Sequence, residues 1–323
     1  MLDLAFASDA NYLPLVHIAL QSFFETNSAQ VHVHLLSNKV PQEGISQLTE
    51  MVQRSGGKFS AYPIDNLAVR LGIEVPDTIA ITTYARLFLA SILPADVDKV
   101  MYVDCDILFT DDISEFYATD MKDTLVAGVQ DLLLSSVYKD YIGIPHDEPY
   151  LNAGILLIPL RTWREQDMQA MFLDFLIAHN GKVYHHDQGI INAVCAGRKT
   201  ICLPRYNVIS NYFNYPYKSL RRISKLHYTA EEYNQATADP AIIHFTGLLS
   251  GRPWESICSH PFKEWFIDVK SRTMFKDMPV KQISLNYLDR LEISMFRILP
   301  FMLYVAFMKA IWRASKVKNM IVS

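Results

Sequence analysis

Short apolar runs alternate with stretches of helical periodicity through the first half of the chain. Residues 2–7 (Leu2-Asp3-Leu4-Ala5-Phe6-Ala7), 31–37, 58–62 and 99–104 read as strands, and 14–26, 42–54 and 83–93 as helices. Pro14 suits the first turn of the first helix and Pro41 stands just before the second, while Thr82 or Thr83 is placed to cap the third. Alternation of this kind predicts an α/β sheet that binds ligands at the carboxyl ends of its strands. Further along, 155–158 and 241–245 read as strands, and 162–179 and 187–196 as helices. The stretch 204–240 is rich in Tyr, Asn and Pro and has weak periodicity, with basic residues at Lys218, Arg221, Arg222 and Lys225.

The last forty residues differ in kind. Phe301, Tyr304, Val305, Met308, Ile311 and Trp312 fall on one helical stripe, bordered by Lys309, Arg313 and Lys316. The uncharged run 298–308 is too short to span a bilayer. The stripe fits a helix packed on the body or one lying on a membrane surface. Residues 284–323 carry six Lys/Arg against Asp289 and Glu292, so an acidic body of net −8 precedes a tail of net +4. That asymmetry argues against nucleic acid as a partner and favours the tail meeting an anionic membrane. The expectation is a catalytic domain over 1–283 and an amphipathic membrane-association tail over 284–323. Half the residues are hydrophobic, enough for a sizeable core. Cys105, Cys195, Cys202 and Cys258 show no paired spacing, which suits reduced thiols, and the first residues show no secretory signal. The expected location is cytoplasmic, peripheral at the inner face of the cell membrane.

The candidate chemistry centres on Val100-Met101-Tyr102-Val103-Asp104-Cys105-Asp106. A buried strand runs into two aspartates at i and i+2, which in extended chain project to one side and offer oxygen ligands to a divalent cation. Such a cation can neutralise a departing diphosphate. Ala7-Ser8-Asp9-Ala10-Asn11-Tyr12 follows the first strand, where a nucleotide would sit: Asp9 and Asn11 offer hydrogen bonds to a base edge, and Tyr12 a ring to stack on it. Arg86, near a helix start, suits a phosphate or sugar. Asn152-Ala153-Gly154, Asp187-Gln188 and His244 complete the set, though each alone also reads as a cap, turn or core residue.

In this order and spacing the motifs resemble glycosyltransferase family eight, retaining enzymes that include glycogenin and bacterial lipopolysaccharide galactosyl- and glucosyltransferases. The resemblance runs from about residue 2 to Trp254 and is nearest the lipooligosaccharide α-galactosyltransferase type. It implies a GT-A fold, a Rossmann-like nucleotide-sugar-binding mixed sheet flanked by helices, here with a C-terminal helical appendage. It also implies a UDP-galactose or UDP-glucose donor and Mn²⁺, with Mg²⁺ as the alternative, held by Asp104, Asp106 and His244. Ala7, Asp9, Asn11 and Tyr12 would contact uridine, and Val103, Arg86, Asp104, Ala153, Gly247 and Arg252 would complete the donor site. Asp131, Asn152, Asp187 and Gln188 would surround the transferred sugar as the catalytic group.

Two departures stand out. The family's last motif usually reads His-x-x-Gly-x-x-Lys-Pro-Trp; here the loop from His244 to Trp254 is two residues longer, and Arg252 stands where lysine is expected. Gly189 occupies a position that is usually aspartate. Without a carboxylate there, front-face substitution is favoured over double displacement. The expected function is transfer of a hexose to a lipopolysaccharide, lipooligosaccharide or other glycan acceptor. The alternatives are a catalytically inactive, membrane-associated nucleotide-sugar-binding protein and a sugar nucleotidyltransferase. The second would call for a Gly-rich loop after the first strand, and Ala7 to Asn11 contains no glycine.

Overall fold

The structure, a computed structural model, describes residues 1–67, 81–247 and 249–321, with Ile81 and 312–321 described by backbone alone. The strands are β1 (Leu2–Asp9), β2 (Val31–Asn38), β3 (Lys58–Pro63), β4 (Val100–Val103), β5 (Ile107–Phe109), β6 (Val126–Gln130), β7 (Leu151–Ile158), β8 (Lys199–Ile201), β9 (Val208–Ile209) and β10 (Ile242–His244). Seven form a mixed sheet in the order β3-β2-β1-β4-β7-β6-β8, and β5-β10-β9 form a second, small sheet. The first four strands of the large sheet run parallel; β7 is antiparallel to both β4 and β6. With helices on its faces, this is the expected GT-A fold.

Alternation within the strands divides the core in two. Leu4, Phe6, Met101, Val103, Ile155 and Leu157 join the cluster under helix Leu13–Thr26, whereas Ala5, Tyr102, Leu156 and Ile158 join the cluster with Trp163 and Ile190. Strands buried on both faces read as continuous apolar runs, which is why β1, β4 and β7 were visible in sequence.

Three local readings differ from expectation. The helix expected over 83–93 is broken into Ile81–Tyr84, a 3₁₀ turn Ala85–Phe88 and Leu89–Ile92, and both threonines lie inside the first piece instead of capping it. The helix expected over 162–179 splits into Leu160–Glu165 and Met168–Ala178, because Asp167 takes a left-handed conformation (φ +47°) and caps the second piece. The weakly periodic stretch holds several short helices, the last, Ala230–Ala238, opened by a Thr229–Glu232 capping box.

The tail also differs from expectation. It forms helices Tyr287–Ile298 and Phe301–Ile321, separated by Pro300. Tyr304, Val305 and Met308 are buried, Phe301 and Ile311 pack partly buried beside them, and Tyr304 donates to Glu292 at 3.0 Å. Phe301 lies against Tyr215 (ring centroids 5.1 Å apart). Tyr304, Val305 and Met308 therefore close the body's core and are covered by protein; the side chains of Trp312, Arg313 and Lys316 lie outside the described residues. Among the described residues no helix is long and apolar enough to cross a membrane. Deletion of 284–323 is expected to expose the face around Tyr215 and yield aggregated protein. A soluble, active truncation, seen by gel filtration and assay, would show that the body folds without it.

Candidate active site

The cleft opens at the carboxyl ends of β1 and β4, the point where strand order reverses and ligands of open α/β sheets bind. It is a cleft of about 310 Å³ whose lining includes Arg86, Asp104, Asp106, Asn152, Asp187, Gln188, His244 and Arg252. Beyond β4 the chain bends, and both aspartates turn to His244 at the end of β10: His244 Nε2 lies 3.1 Å from Asp106 Oδ1 and 3.8 Å from Asp104 Oδ2. Two carboxylates and one imidazole form a donor set suited to Mn²⁺. The packing is shaped for it. A Cβ at Gly154 would fall 2.1 Å from His244 Cε1 and 2.9 Å from Asp104 Oδ2, so only glycine lets β7 pass behind the trio.

His244 Nδ1 lies 3.0 Å from Asn207 Oδ1, an interaction in which Nδ1–H donates and which turns Nε2 toward Asp106 and Asp104, where it would ligate a cation in place of its contact with Asp106. Asn207 was not singled out in sequence. Fully buried before β9, it also donates to Asn152 Oδ1 (2.9 Å), which accepts the Gly154 N–H as well. Asn152 in turn donates to Asp131 Oδ2 at 2.9 Å, and Gln188 Nε2 donates to the same oxygen at 3.1 Å. Gln188 Oε1 accepts the Ala153 N–H at 2.9 Å. Asp131, Asn152, Ala153, Gln188 and His244 thus belong to one connected polar network, where each member fixes the next.

Arg86, carried on the 3₁₀ turn, is buried beneath this network. It donates to Ala153 O and to Asp104 Oδ1 (2.9 Å), pairs with Asp187 Oδ2 (2.7 Å), and lies over the Tyr102 ring at 4.2 Å. Its guanidinium braces two carboxylates of the cleft. Burial opposes the charge on Arg86, but Asp104 and Asp187 outweigh it and hold the group protonated. Burial raises Asp104, against the pull of Arg86 and His244; in Asp106 the attraction of His244 overcomes burial and lowers the carboxyl. Asp187 is pushed up to about 6, by burial first, with Arg86 opposing and Asp104 adding to the rise.

Transfer is expected to fall as pH drops through about 6, since protonated Asp187 loosens its hold on Arg86. A folded-state value above the unfolded one means that the native state carries the extra proton between about pH 4 and 6. This group's contribution to stability therefore declines as pH rises through that window, opposite in sense to activity. A pH–rate profile checks it: Asp187→Asn should be slow throughout and lack the limb.

Asp9 Oδ1 accepts the backbone N–H groups of Asn11 (2.8 Å) and Tyr12 (3.1 Å), forming the turn that presents Tyr12. Tyr12 is 45% exposed and within electrostatic reach of Arg252 and Asp106. The lengthened last loop still brings Arg252 Nε to 3.8 Å from Asp106 Oδ2, with a hydrogen bond to Phe245 O at 3.1 Å. Gly247 (φ +92°) and Gly251 (φ +64°) make the turns this requires, and a Cβ at Gly251 would meet the Cys258 backbone at 3.1 Å. Gly189 is enforced as well: a Cβ there would lie 2.1 Å from the Tyr184 carbonyl, so the position has no room for aspartate.

Glycosyl transferase family 8 matches residues 3–258, a span that includes every residue of this cleft. The chain belongs to that family. Within it, similarity to individual members is moderate. Lipopolysaccharide 1,2-glucosyltransferase of Escherichia coli is 23% identical over 285 residues, 87% of this chain and 81% of that protein. General stress protein A of Bacillus subtilis is 24% identical over 247 residues, covering 76% and 83%. Among solved structures, galactosyltransferase LgtC in complex with donor and acceptor sugar analogues superposes with a TM-score of 0.71 at 24% identity, covering 90% of this chain and 99% of that one. This family 8 glycosyltransferase therefore shares the LgtC fold, with the Asp104–Asp106–His244 trio at the crevice of its sheet.

Proposed function

We propose that the chain transfers a hexosyl group, galactose or glucose, from a UDP-sugar to a hydroxyl of a lipopolysaccharide, lipooligosaccharide or related glycan acceptor, with retention. The observation that carries this is the convergence of Asp104, Asp106 and His244, with His244 Nδ1 pinned by Asn207, beside Arg252. Family membership and the named activity of the Escherichia coli relative support the reaction class and the acceptor.

Mn²⁺ held by Asp104, Asp106 and His244 would supply positive charge to the departing diphosphate. Arg252 stands beside Asp106 to pair with the same diphosphate as a two-pronged donor. Tyr12 would stack on uracil above the Asp9 turn. Asp131, Asn152, Asp187 and Gln188, locked by the network and by Arg86, would hold the sugar without reorganising as charge develops on it. In the reaction the donor's anomeric C–O bond breaks and a bond to the acceptor oxygen forms on the same face. The acceptor's proton passes to the leaving phosphate oxygen. Gly189, which has no room for a carboxylate, favours this route over a covalent glycosyl intermediate.

The test is a donor panel with purified protein and Mn²⁺. Hydrolysis of UDP-galactose or UDP-glucose and an α-linked product by NMR are expected. Tyr12→Ala should weaken UDP binding by about 1–3 kcal/mol in calorimetry. Absence of Mn²⁺-dependent UDP binding would return the chain to a non-catalytic role.

A further inference from the structure

Three ligand-type side chains also meet at the opposite end of the large sheet. β1 and β2 pair in parallel with Asp3 beside His32, and His34, two residues on, projects to the same face. Leu4 pairs with Met101 across β1 and β4, so Asp3 lies four residues before the level of Asp104, which places this cluster about 13 Å along the sheet from the cleft. Asp3 Oδ1 lies 2.9 Å from His34 Nε2 and 3.7 Å from His32 Nδ1. A tetrahedral zinc ion with ligands at about 2.0–2.1 Å needs donor atoms about 3.3 Å apart, midway between these values.

The outer nitrogens are held by hydroxyls of β3. His32 Nε2 lies 2.9 Å from Ser60 Oγ, and His34 Nδ1 lies 3.1 Å from Tyr62 Oη. Each ring is therefore turned with one nitrogen toward Asp3, the arrangement by which metal-binding histidines are oriented. A hydrogen bond accounts for Asp3 and His34. It does not account for the second imidazole aimed at the same oxygen from beyond hydrogen-bond reach, which a shared cation would satisfy. The His34 side chain is fully buried, while those of His32 and Asp3 are 18% and 17% exposed, leaving a side open for water as a fourth ligand.

We propose that Asp3, His32 and His34 form a second metal site, for Zn²⁺ or a similar borderline-soft divalent ion. It is separate from the catalytic trio and ties β1 to β2 in the half of the sheet that carries the uridine-side loop. Two imidazoles with one carboxylate select such an ion over Mg²⁺ or Ca²⁺.

The experiment removes the cleft's own ligands. Asp106→Ala/His244→Ala protein, stripped with chelator, is expected to take up one equivalent of Zn²⁺ in calorimetry. Co²⁺ in its place should give the visible absorption of a tetrahedral site. Adding His32→Gln should weaken uptake at least tenfold, with circular dichroism verifying the fold. Independently of these variants, Zn²⁺ should protect His32 of the wild-type protein from diethyl pyrocarbonate, read by peptide mass spectrometry. The proposal is overturned if the double variant takes up no ion, if His32→Gln leaves uptake unchanged, or if Zn²⁺ gives His32 no protection.

Discussion

His244→Ala and Asp106→Ala are each expected to cut transfer by about a thousandfold or more, and EDTA should do the same to the unaltered protein. An uncompensated diphosphate leaving group costs several kcal/mol in the transition state, and these side chains converge within 3.1 Å at the site that would compensate it. A graded series makes the result specific. Asn207→Ala removes no ligand; it frees the imidazole to rotate and to carry its proton on the wrong nitrogen. Loss of such an orienting partner typically costs about 10–100-fold, recoverable in part by raising Mn²⁺. Full activity of His244→Ala in EDTA would mean that the trio is structural.

Arg86→Leu is expected to cost stability before it costs chemistry. The guanidinium is buried between Asp104 and Asp187, and its removal leaves two carboxylates facing each other with no cation between them. Breaking a buried pair from one side costs about 3–5 kcal/mol. For a chain of this size that corresponds to a fall in Tm of about 4–7 °C. Arg86→Lys keeps the charge but offers a point in place of a fork, so it should fall between the two. Thermal unfolding of the three proteins decides the matter, and an unchanged Tm for Arg86→Leu would show that Asp104 and Asp187 neutralise by taking up protons instead.

Sequence pattern exposed those parts of the fold whose cause is local. β1, β4 and β7 are apolar runs buried on two faces, and helices Leu13–Thr26 and Gln42–Arg54 open with prolines at or before their first turns. Asp104 and Asp106 stood out because a strand leads into them. Asn207 did not, since its role comes from His244, 37 positions away, and an asparagine before a two-residue strand has no signature of its own. Gly154 and Gly189 likewise acquire meaning only from the atoms that would meet a Cβ. The tail stripe shows a different limit. Helical periodicity marks Tyr304, Val305 and Met308 as apolar but is silent on whether protein or lipid covers them, and here protein does.

The pairing of His244 with Asp106 spans 138 positions, and Arg86 reaches Ala153 across 67. Closing loops of this length costs more chain entropy than pairing neighbouring strands, so the contacts of the cleft are expected to form late in folding. Local helices and the β1–β2–β3 half of the sheet need far shorter loops. Refolding protein is therefore expected to regain helical circular dichroism before it regains donor binding, and simultaneous recovery of the two signals would contradict this order.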